Sequence, residues 1–269
     1  MRLLKRLLNM KVVILAGGMG TRISEESHLR PKPMIEIGGY PILWHIMKIY
    51  SAYGFNDFVI CCGYRGYMIK EYFANYYLHC SDVTFDFSDN NSIQIHSNVS
   101  EPWKVTLADT GQSTQTGGRI RRIRKYVEDK PFLMTYGDGV GDIDINLSAK
   151  QHEHSNKTIT LTAVQPKGRF GLLDIEEDEL TVRGFSEKVD DPQSWINIGF
   201  MILKPEIFEY LDDDKCVLER RPLETLSKEG KLGVYKHTGF WQCMDTRRDH
   251  NLLENIWQRG SAPWKIWQD

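Results

Sequence analysis

The stretch VILAGGMGTR, residues 13–22, passes from an apolar run into a turn with three glycines and ends on Arg22. Residues 11–16 are apolar and partly β-branched, which predicts a buried strand of a parallel sheet. Glycines after such a strand let backbone N–H groups approach an anion closely, with φ values that other residues avoid. The stretch therefore predicts an α/β fold whose first strand ends in a candidate phosphate-binding turn, with a plain tight turn as the alternative.

Strands and helices alternate along the rest of the first half. Pro41 opens a helical pattern that Gly54 ends, residues 57–62 form a second strand, and residues 67–77 a second helix. This alternation favours a parallel sheet with right-handed crossovers. The other predicted elements are a polar hairpin over 82–87 and 92–96, a strand over 105–108, a basic helix over 118–127, strands over 132–136, 158–164, 171–175, 180–185 and 195–203, and helices over 205–211, 222–229 and 247–258.

Length and composition limit the number of domains and argue against two kinds of partner. The 269 residues allow one large domain or two small ones. Because the sequence shows no internal repeat, low-complexity tract or linker, we expect a single domain over 10–269, preceded by an extension over 1–9 that we expect to be disordered. A formal net charge of −2 argues against nucleic acid and against an anionic membrane. Five cysteines without metal-ligand spacing favour buried thiols in the reducing cytoplasm. No apolar run has the length that spans a membrane.

The first ten residues, MRLLKRLLNM, allow other interpretations. A basic start followed by leucines is also typical of a signal peptide or of a short amphipathic helix on a membrane surface. Asn9 and Lys11 interrupt the apolar stretch, and no small-residue cleavage pattern follows. We expect a plain extension, with Met10 as the alternative working start.

Two familiar nucleotide-binding fingerprints do not match the glycine turn. The dinucleotide fingerprint requires glycine where Ile23 stands, which argues against a hydride-transferring enzyme, and the P-loop requires Gly-Lys-Ser/Thr where this chain has Gly20-Thr21-Arg22. Beyond the turn, Lys32 lies between two prolines that restrict the backbone around it. A fixed lysine beside an arginine and backbone donors suits a polyphosphate, whereas the alternative is a solvated loop lysine.

Seven short motifs extend this pattern along the chain: LAGGMGTR at 15–22, RPKPM at 30–34, YGDGV at 136–140, GRFG at 168–171, SEK at 186–188, INIGF at 196–200 and GFWQCMDT at 239–246. Together they resemble the sugar-phosphate nucleotidylyltransferases, and within them the glucose-1-phosphate cytidylyltransferases, over residues 10–269. The resemblance implies the nucleotide-diphospho-sugar transferase fold: a Rossmann-like, mostly parallel mixed sheet flanked by helices, with a strand-rich sugar-binding part. Val189 and Ile198 depart from the family's proline and glycine, which puts only the loop geometry at the sugar end in doubt.

The resemblance also implies an activity. Its members transfer a cytidylyl group from CTP to α-D-glucose 1-phosphate, giving CDP-glucose and pyrophosphate for the dideoxyhexoses of O-antigen lipopolysaccharide. A homohexamer and a cytoplasmic location are implied as well. The alternatives are the same chemistry with UTP, dTTP or another sugar 1-phosphate, and a non-catalytic nucleotide-binding regulatory homologue.

By resemblance, Arg22 and Lys32 are catalytic and clamp the CTP phosphates. The residues implied in nucleotide binding are Leu15, Ala16, Gly17, Gly18, Met19, Gly20, Thr21, Arg22, Lys32, Thr114, Gly118, Arg119 and Asp138. The glycines beside Arg119 would allow close approach to the base, while Arg119 stays available to phosphate. Alternatively, Arg119 belongs to a solvated basic face on its helix.

The resemblance implies a magnesium site and a sugar site. Asp138 and Asp245 would hold Mg²⁺, which takes one or two protein carboxylates and completes its shell with phosphate oxygens and water. The alternatives are a turn aspartate at 138 and a helix N-cap at 245, because Asp-Thr-Arg precedes a helical pattern. The residues implied at the sugar phosphate are Glu187, Lys188, Asn197 and Trp241. For these, the alternatives are a surface ion pair at 187–188 and a core position for Trp241.

Overall fold

A computed structural model describes residues 10–20, 30–97, 100–127, 129–165, 172–175, 181–186 and 194–268, of which 172–175 and 182–186 are described by their backbone only. The strands are β1 (Val12–Leu15), β2 (Glu36–Ile37), β3 (Tyr40–Pro41), β4 (Asp57–Cys62), β5 (Val83–Asp86), β6 (Ser92–Ile95), β7 (Lys104–Asp109), β8 (Phe132–Tyr136), β9 (Gly139–Gly141), β10 (Ile159–Val164), β11 (Leu172–Ile175), β12 (Val182–Ser186), β13 (Trp195–Leu203), β14 (Leu232–Lys236) and β15 (Trp241–Cys243). The helices are α1 (Ile42–Ala52), α2 (Gly66–Ala74), α3 (Tyr76–His79), α4 (Thr116–Arg122), α5 (Arg124–Val127), α6 (Ile145–Ser155), α7 (Arg221–Lys228) and α8 (Arg247–Gln258), with 3-10 turns at Lys32–Met34 and Pro205–Tyr210.

The central sheet is mixed, and its first half is parallel. β7, β4, β1 and β8 lie side by side in that order and run in the same direction. β13 continues the sheet antiparallel to β8, and β10 and β14 follow it as a parallel pair. The β11–β12 hairpin also pairs with β13. The predicted fold class, a mostly parallel mixed sheet flanked by helices, is confirmed.

The alternation of side chains along β1 explains the layers. Val12 and Ile14 pack into one apolar core with α1, while Val13 and Leu15 pack into a second core with α4 on the other face. A strand buried on both faces has to be apolar throughout, as the VVIL sequence of β1 is.

Register places the ends of three strands at one edge. Leu15 of β1 lies opposite Cys61 of β4 and Tyr136 of β8, so the glycine turn and Gly137-Asp138 follow the sheet at the same level. Because ligands of open α/β sheets bind outside the carboxyl ends of the strands, this register positions the candidate site.

Several predicted elements differ in detail. The helix predicted over 67–77 is divided into α2 and α3, because the Asn75 side chain bonds to the Glu71 carbonyl and ends the first helix. The basic helix predicted over 118–127 begins earlier, at Thr116, and is interrupted at Ile123. The helix predicted over 205–211 is a 3-10 turn. Neither β14 nor the short pair β9–β15 was predicted.

The cysteine prediction holds in part, and two predictions stay open. The five cysteines are free thiols; Cys61, Cys62 and Cys243 are buried as expected, whereas Cys80 and Cys216 are only half-buried. Within the described ranges, no helix has the length and apolar character needed to cross a bilayer. The extension over 1–9 lies outside the described residues, and the single domain over 10–269 stays a prediction.

Candidate active site

The pocket at the carboxyl edge of the sheet brings together residues that are far apart in sequence. It is lined by residues of the glycine turn, the Lys32 turn, the start of α4 and the end of β8: Leu15, Ala16, Gly17, Gly18, Gly20, Lys32, Pro33, Thr114, Gln115, Thr116, Arg119, Tyr136, Gly137, Asp138 and Asp245. Most of the predicted nucleotide and metal residues therefore share one cavity. Among the described residues of that prediction, Met19 and Gly118 lie outside the lining.

Lys32 lies at the floor of the pocket, between two carboxylates. Its Nζ donates to Asp138 Oδ2 at 2.6 Å and also donates to Asp245 Oδ1. Pro31 precedes the 3-10 turn that carries Lys32, with φ at −65°, so the turn is held by its prolines as predicted. The residue is only 9% exposed, and the alternative of a solvated loop lysine is wrong.

The charge on Lys32 is maintained by its partners. Burial, the largest single influence on this group, lowers its pKa, but the Asp138 and Asp245 carboxylates together outweigh it and raise the pKa above its usual value. The ammonium group is therefore charged throughout the physiological range. A permanent cation at the pocket floor is suited to phosphate oxygens.

A small β-sheet brings Asp245 to Asp138. β9 and β15 pair antiparallel, with Gly139 opposite Cys243, and the Met244 N–H donates to the Asp138 carbonyl at 2.8 Å. The alternative N-cap role of Asp245 is wrong, because Thr246 caps α8 through a capping box with Asp249. The Asp245 carboxylate is thus directed to the pocket and not used to cap the helix.

The carboxylates of Asp138 and Asp245 both face the Lys32 ammonium group. Their positions indicate whether the same two residues could hold a magnesium ion. Both are bonded to the same Nζ, and their side chains keep 30% and 25% exposure toward the pocket. In the part of the chain that the structure describes, no cluster of three or more His, Cys, Asp or Glu side chains offers a different metal site. Two carboxylate oxygens with room beside them match the preference of Mg²⁺ for few protein ligands.

The Arg119 side chain holds the glycine turn through a hydrogen bond to the turn's backbone. Its guanidinium donates to the Gly17 carbonyl at 2.9 Å, the Gly111 carbonyl at 2.8 Å and the Thr110 hydroxyl at 2.7 Å. It is 4% exposed, so the alternative of a solvated basic face is wrong. The expectation that Arg119 stays available to phosphate needs correction for its two terminal nitrogens, since these carbonyls and the hydroxyl accept from Nη1 and Nη2.

Gly118 serves protein packing. A Cβ at this position would lie 2.7 Å from the Asp214 carbonyl oxygen and 2.8 Å from the Thr114 side chain. The Gly118 N–H donates to the Cys216 carbonyl, so a loop of the same chain lies against the first turn of α4. The close approach that the sequence suggested is therefore made by this loop, and contact with a base stays a prediction.

The two described residues predicted at the sugar phosphate lie beside the pocket lining. The Asn197 side chain accepts the Gly199 N–H at 2.9 Å and so holds an irregularity of strand β13 where the Gly199 φ is +83°. Trp241 is half-buried and lies against Gly139, one residue from Asp138. Their contact with sugar stays a prediction.

Four predicted residues lie outside the described residues: Thr21, Arg22, Glu187 and Lys188. Their roles in binding or catalysis stay predictions.

The comparisons with known proteins agree with this geometry. The sequence model of the nucleotidyl transferase family matches residues 11–231. Over 260 residues the chain is 54% identical to glucose-1-phosphate cytidylyltransferase of Salmonella typhi, covering 96% of this chain and 100% of that protein. It is 42% identical over 261 residues to the probable glucose-1-phosphate cytidylyltransferase of Bacillus subtilis, with the same coverage. The crystal structure of HddC from Yersinia pseudotuberculosis superposes with a TM-score of 0.72 at 26% identity, over 92% of this chain and 99% of that one.

The chain belongs to the nucleotidyl transferase family. The resemblance inferred from the seven motifs is confirmed, and the chain is a nucleotidyltransferase.

The pocket of this nucleotidyltransferase includes residues that the sequence analysis did not assign. Pro33, Gln115, Thr116, Tyr136 and Gly137 all line it. Each of them stands within two residues of a predicted site residue, so proximity in the sequence was the available signal. Gly137 is required by space, because a Cβ there would lie 2.9 Å from the Leu15 carbonyl oxygen.

Proposed function

We propose that the chain transfers the cytidylyl group of CTP to α-D-glucose 1-phosphate, giving CDP-glucose and pyrophosphate. The observation that carries this proposal is the 54% identity to the Salmonella typhi enzyme of that name, which extends over that enzyme's whole length. The pocket supports it, since Lys32, Asp138 and Asp245 supply the cation and the carboxylates that phosphoryl chemistry needs. These same residues argue against a non-catalytic homologue.

The chain's own groups would act by position and charge. The attacking phosphate oxygen is already an anion, so the reaction requires no catalytic base; the obstacle is to bring two polyanions together. Lys32 would neutralise charge on the α-phosphate, and backbone N–H groups of the glycine turn would orient the triphosphate. Arg119 would hold that turn in place through the Gly17 carbonyl. Arg22 would add a second cation at the phosphates.

Asp138 and Asp245 would hold Mg²⁺ through their carboxylate oxygens. When bound, the ion supplies positive charge that offsets the charge developing on the phosphate oxygens. Lys188 would pair with the glucose phosphate, and Glu187 and Asn197 would hydrogen-bond sugar hydroxyls beside Trp241.

We also propose an oligomeric state, a location and a pathway for the enzyme. It would be a homohexamer that works in the cytoplasm and supplies CDP-glucose for dideoxyhexoses of O-antigen lipopolysaccharide. These statements rest on resemblance to the cytidylyltransferases. Analytical ultracentrifugation of the full chain tests the assembly, and a monomer at micromolar concentration would contradict it.

Turnover with a panel of nucleotides tests the activity. Purified protein is incubated with glucose 1-phosphate, Mg²⁺ and one of CTP, UTP, dTTP, ATP or GTP, and both pyrophosphate and the nucleotide sugar are measured. We expect CTP to give the highest kcat/KM and CDP-glucose as product. A higher kcat/KM with UTP or dTTP would assign the same chemistry to another base, and no turnover with any nucleotide would favour a binding protein.

A further inference from the structure

Glu219 connects two walls of the nucleotide pocket. One carboxylate oxygen, Oε1, accepts the Tyr136 hydroxyl from the end of β8, and the other, Oε2, accepts the Thr116 hydroxyl from α4 at 2.6 Å. Tyr136 and Thr116 both line the pocket, whereas Glu219 does not. The carboxylate thus lies behind the pocket surface and joins the strand that leads to Asp138 to the helix that carries Arg119.

The direction of both hydrogen bonds is fixed by chemistry. The Thr116 hydroxyl oxygen accepts the Leu218 N–H at 2.9 Å, so its own proton is free to be donated to Glu219. Burial, followed by the Glu219 charge, raises the pKa of Tyr136 well above its usual range, so its hydroxyl remains a donor. A carboxylate accepts from both, as neither a lysine nor an apolar residue could.

Packing holds the Tyr136 ring in place independently of its hydrogen bond to Glu219. Gly199 lies against its ring, where a Cβ would come within 2.2 Å of the Tyr136 Cδ2 atom. The Gly199 backbone is in turn held by the Asn197 side chain. The hydroxyl therefore projects from a seated ring toward Glu219.

The loop that carries Glu219 is hydrogen-bonded to the first turn of α4. The Gln115 N–H donates to the Asp214 carbonyl at 2.8 Å, and the Gly118 N–H donates to the Cys216 carbonyl at 3.1 Å. These bonds satisfy helix N–H groups that have no partner within the helix. Glu219 is thereby fixed relative to the start of α4, and a shift of the loop would move the pocket wall.

We propose that Glu219 is a positioning residue that sets the spacing between Tyr136 and Thr116, and with it the width of the nucleotide pocket. This inference rests on the proposed function, because it takes the ligand of the pocket to be CTP. Glu219 touches neither substrate nor metal, and it acts on affinity and base discrimination through the two side chains it joins.

Two substitutions at Glu219 separate this role from a general need for the residue. Glu219→Ala removes both acceptors, and we expect the KM and Kd for CTP to rise about tenfold while kcat changes by less than about threefold. We expect the preference for CTP over UTP to fall as well. Glu219→Gln keeps a planar group whose oxygen can accept the Tyr136 hydroxyl and whose amide NH2 can donate to the second lone pair of the Thr116 oxygen, so its Kd should stay within about twofold of wild type.

The experiment measures steady-state kinetics with CTP and UTP, CTP binding by calorimetry, and thermal unfolding on the full chain. Glu209→Ala, an exposed glutamate on the 3-10 turn Pro205–Tyr210, is the matched control and should leave all values unchanged. An unchanged CTP Kd in Glu219→Ala, or equal losses in the alanine and glutamine variants, would overturn the proposal.

A third variant covers the case in which Glu219→Ala does not fold. Tyr136→Phe keeps the seated ring and removes one arm of the bridge, so the CTP Kd should rise about threefold. An unchanged Kd in this variant would overturn the proposal. If wild type binds a nucleotide but makes no CDP-glucose, the proposed function fails, and the same binding comparison with that nucleotide still tests Glu219.

Discussion

Two buried cations line the pocket at the sheet edge, and their hydrogen-bond partners differ in charge. Lys32 is 9% exposed and faces the carboxylates of Asp138 and Asp245. Arg119 is 4% exposed and faces carbonyl oxygens and a hydroxyl, all of them neutral. The pKa shifts follow this difference, since the carboxylates raise the pKa of Lys32 whereas burial lowers that of Arg119.

This contrast indicates which of the two cations can exchange its partners for a ligand. The carboxylates that hold Lys32 are the groups that a metal ion would recruit, so its partners can be replaced by phosphate oxygens of similar charge. Arg119 bonds to neutral backbone oxygens that a metal ion would not recruit in preference to carboxylates, so we expect it to stay in place as a clamp. Among the described residues no carboxylate forms an ion pair with it, so its charge contributes a positive potential at the glycine turn.

The largest expected effect follows from removing the exchangeable cation. Lys32→Met should lower kcat for pyrophosphate release about 10³-fold, because charge on the α-phosphate loses its buried partner. Single-turnover pyrophosphate assays with CTP and glucose 1-phosphate measure this. Lys48→Met, a lysine outside the pocket lining that pairs with Glu101, controls for the loss of a partly buried lysine. A fall of less than tenfold would place Lys32 among the structural cations with Arg119.

Removing one of its carboxylate partners should have the next largest effect. Asp138→Asn keeps the size of the side chain and removes the charge, and kcat should fall about 10²-fold or more while weak CTP binding persists. Calorimetry and the pyrophosphate assay measure the two quantities on the same preparation. Normal turnover would remove Asp138 from the metal site.

The fixed cation should affect stability more than chemistry. Arg119→Lys keeps a charge but cannot reach the carbonyls of Gly17 and Gly111 together, so the free energy of unfolding should fall by about 2–3 kcal/mol. The KM for CTP should rise while kcat changes less, because the glycine turn loses its clamp. Denaturant unfolding and steady-state kinetics measure both effects. A large loss of kcat with unchanged stability would instead make Arg119 a catalytic group.

The smallest effect distinguishes the two cations by pH. The folded pKa of Lys32 lies above its usual value of 10.5, so its ion pairs stabilise the fold below that pH and this contribution is lost as the pH rises through the folded pKa. Arg119 does not titrate in this range. At alkaline pH, the melting temperature should therefore fall more steeply with rising pH in wild type than in Lys32→Met. Arg119→Met should keep the wild-type slope at lower stability, and parallel slopes in all three proteins would contradict the assigned ion pairs.

The fold was predictable where the spacing of apolar residues and the positions of turn residues indicate the same element. The strand predicted over 57–62, the strand over 132–136 and the helix over 247–258 have the predicted bounds, because each is a single periodic run between turn residues. β14 was not predicted, since LGVYK is short and its partner β10 is about seventy residues earlier in the chain. Pairing over such a distance leaves no local signal.

Most residues of the candidate site were predictable from sequence motifs, but the contacts between them were less so. Asp138 and Lys32 are recognisable from the residues around them, and the structure places them 2.6 Å apart between their charged atoms. Asp245 was ambiguous, because an aspartate before a helix is also a common N-cap, and only the position of Thr246 resolves this. Glu219 had no signal, since an isolated glutamate in a polar loop looks like any surface residue.

Three features are readable from the amino-acid sequence alone: the strand that leads into the turn of VILAGGMGTR, the alternating order of strands and helices, and the family to which the chain belongs. These depend on neighbouring residues, whose periodicity and φ preferences are encoded locally. Three others follow from the packed fold: Lys32 lies between Asp138 and Asp245, Arg119 clamps a backbone turn, and Glu219 bridges two pocket walls. Those roles depend on which groups share a burial site, and burial is a property of the whole packed chain.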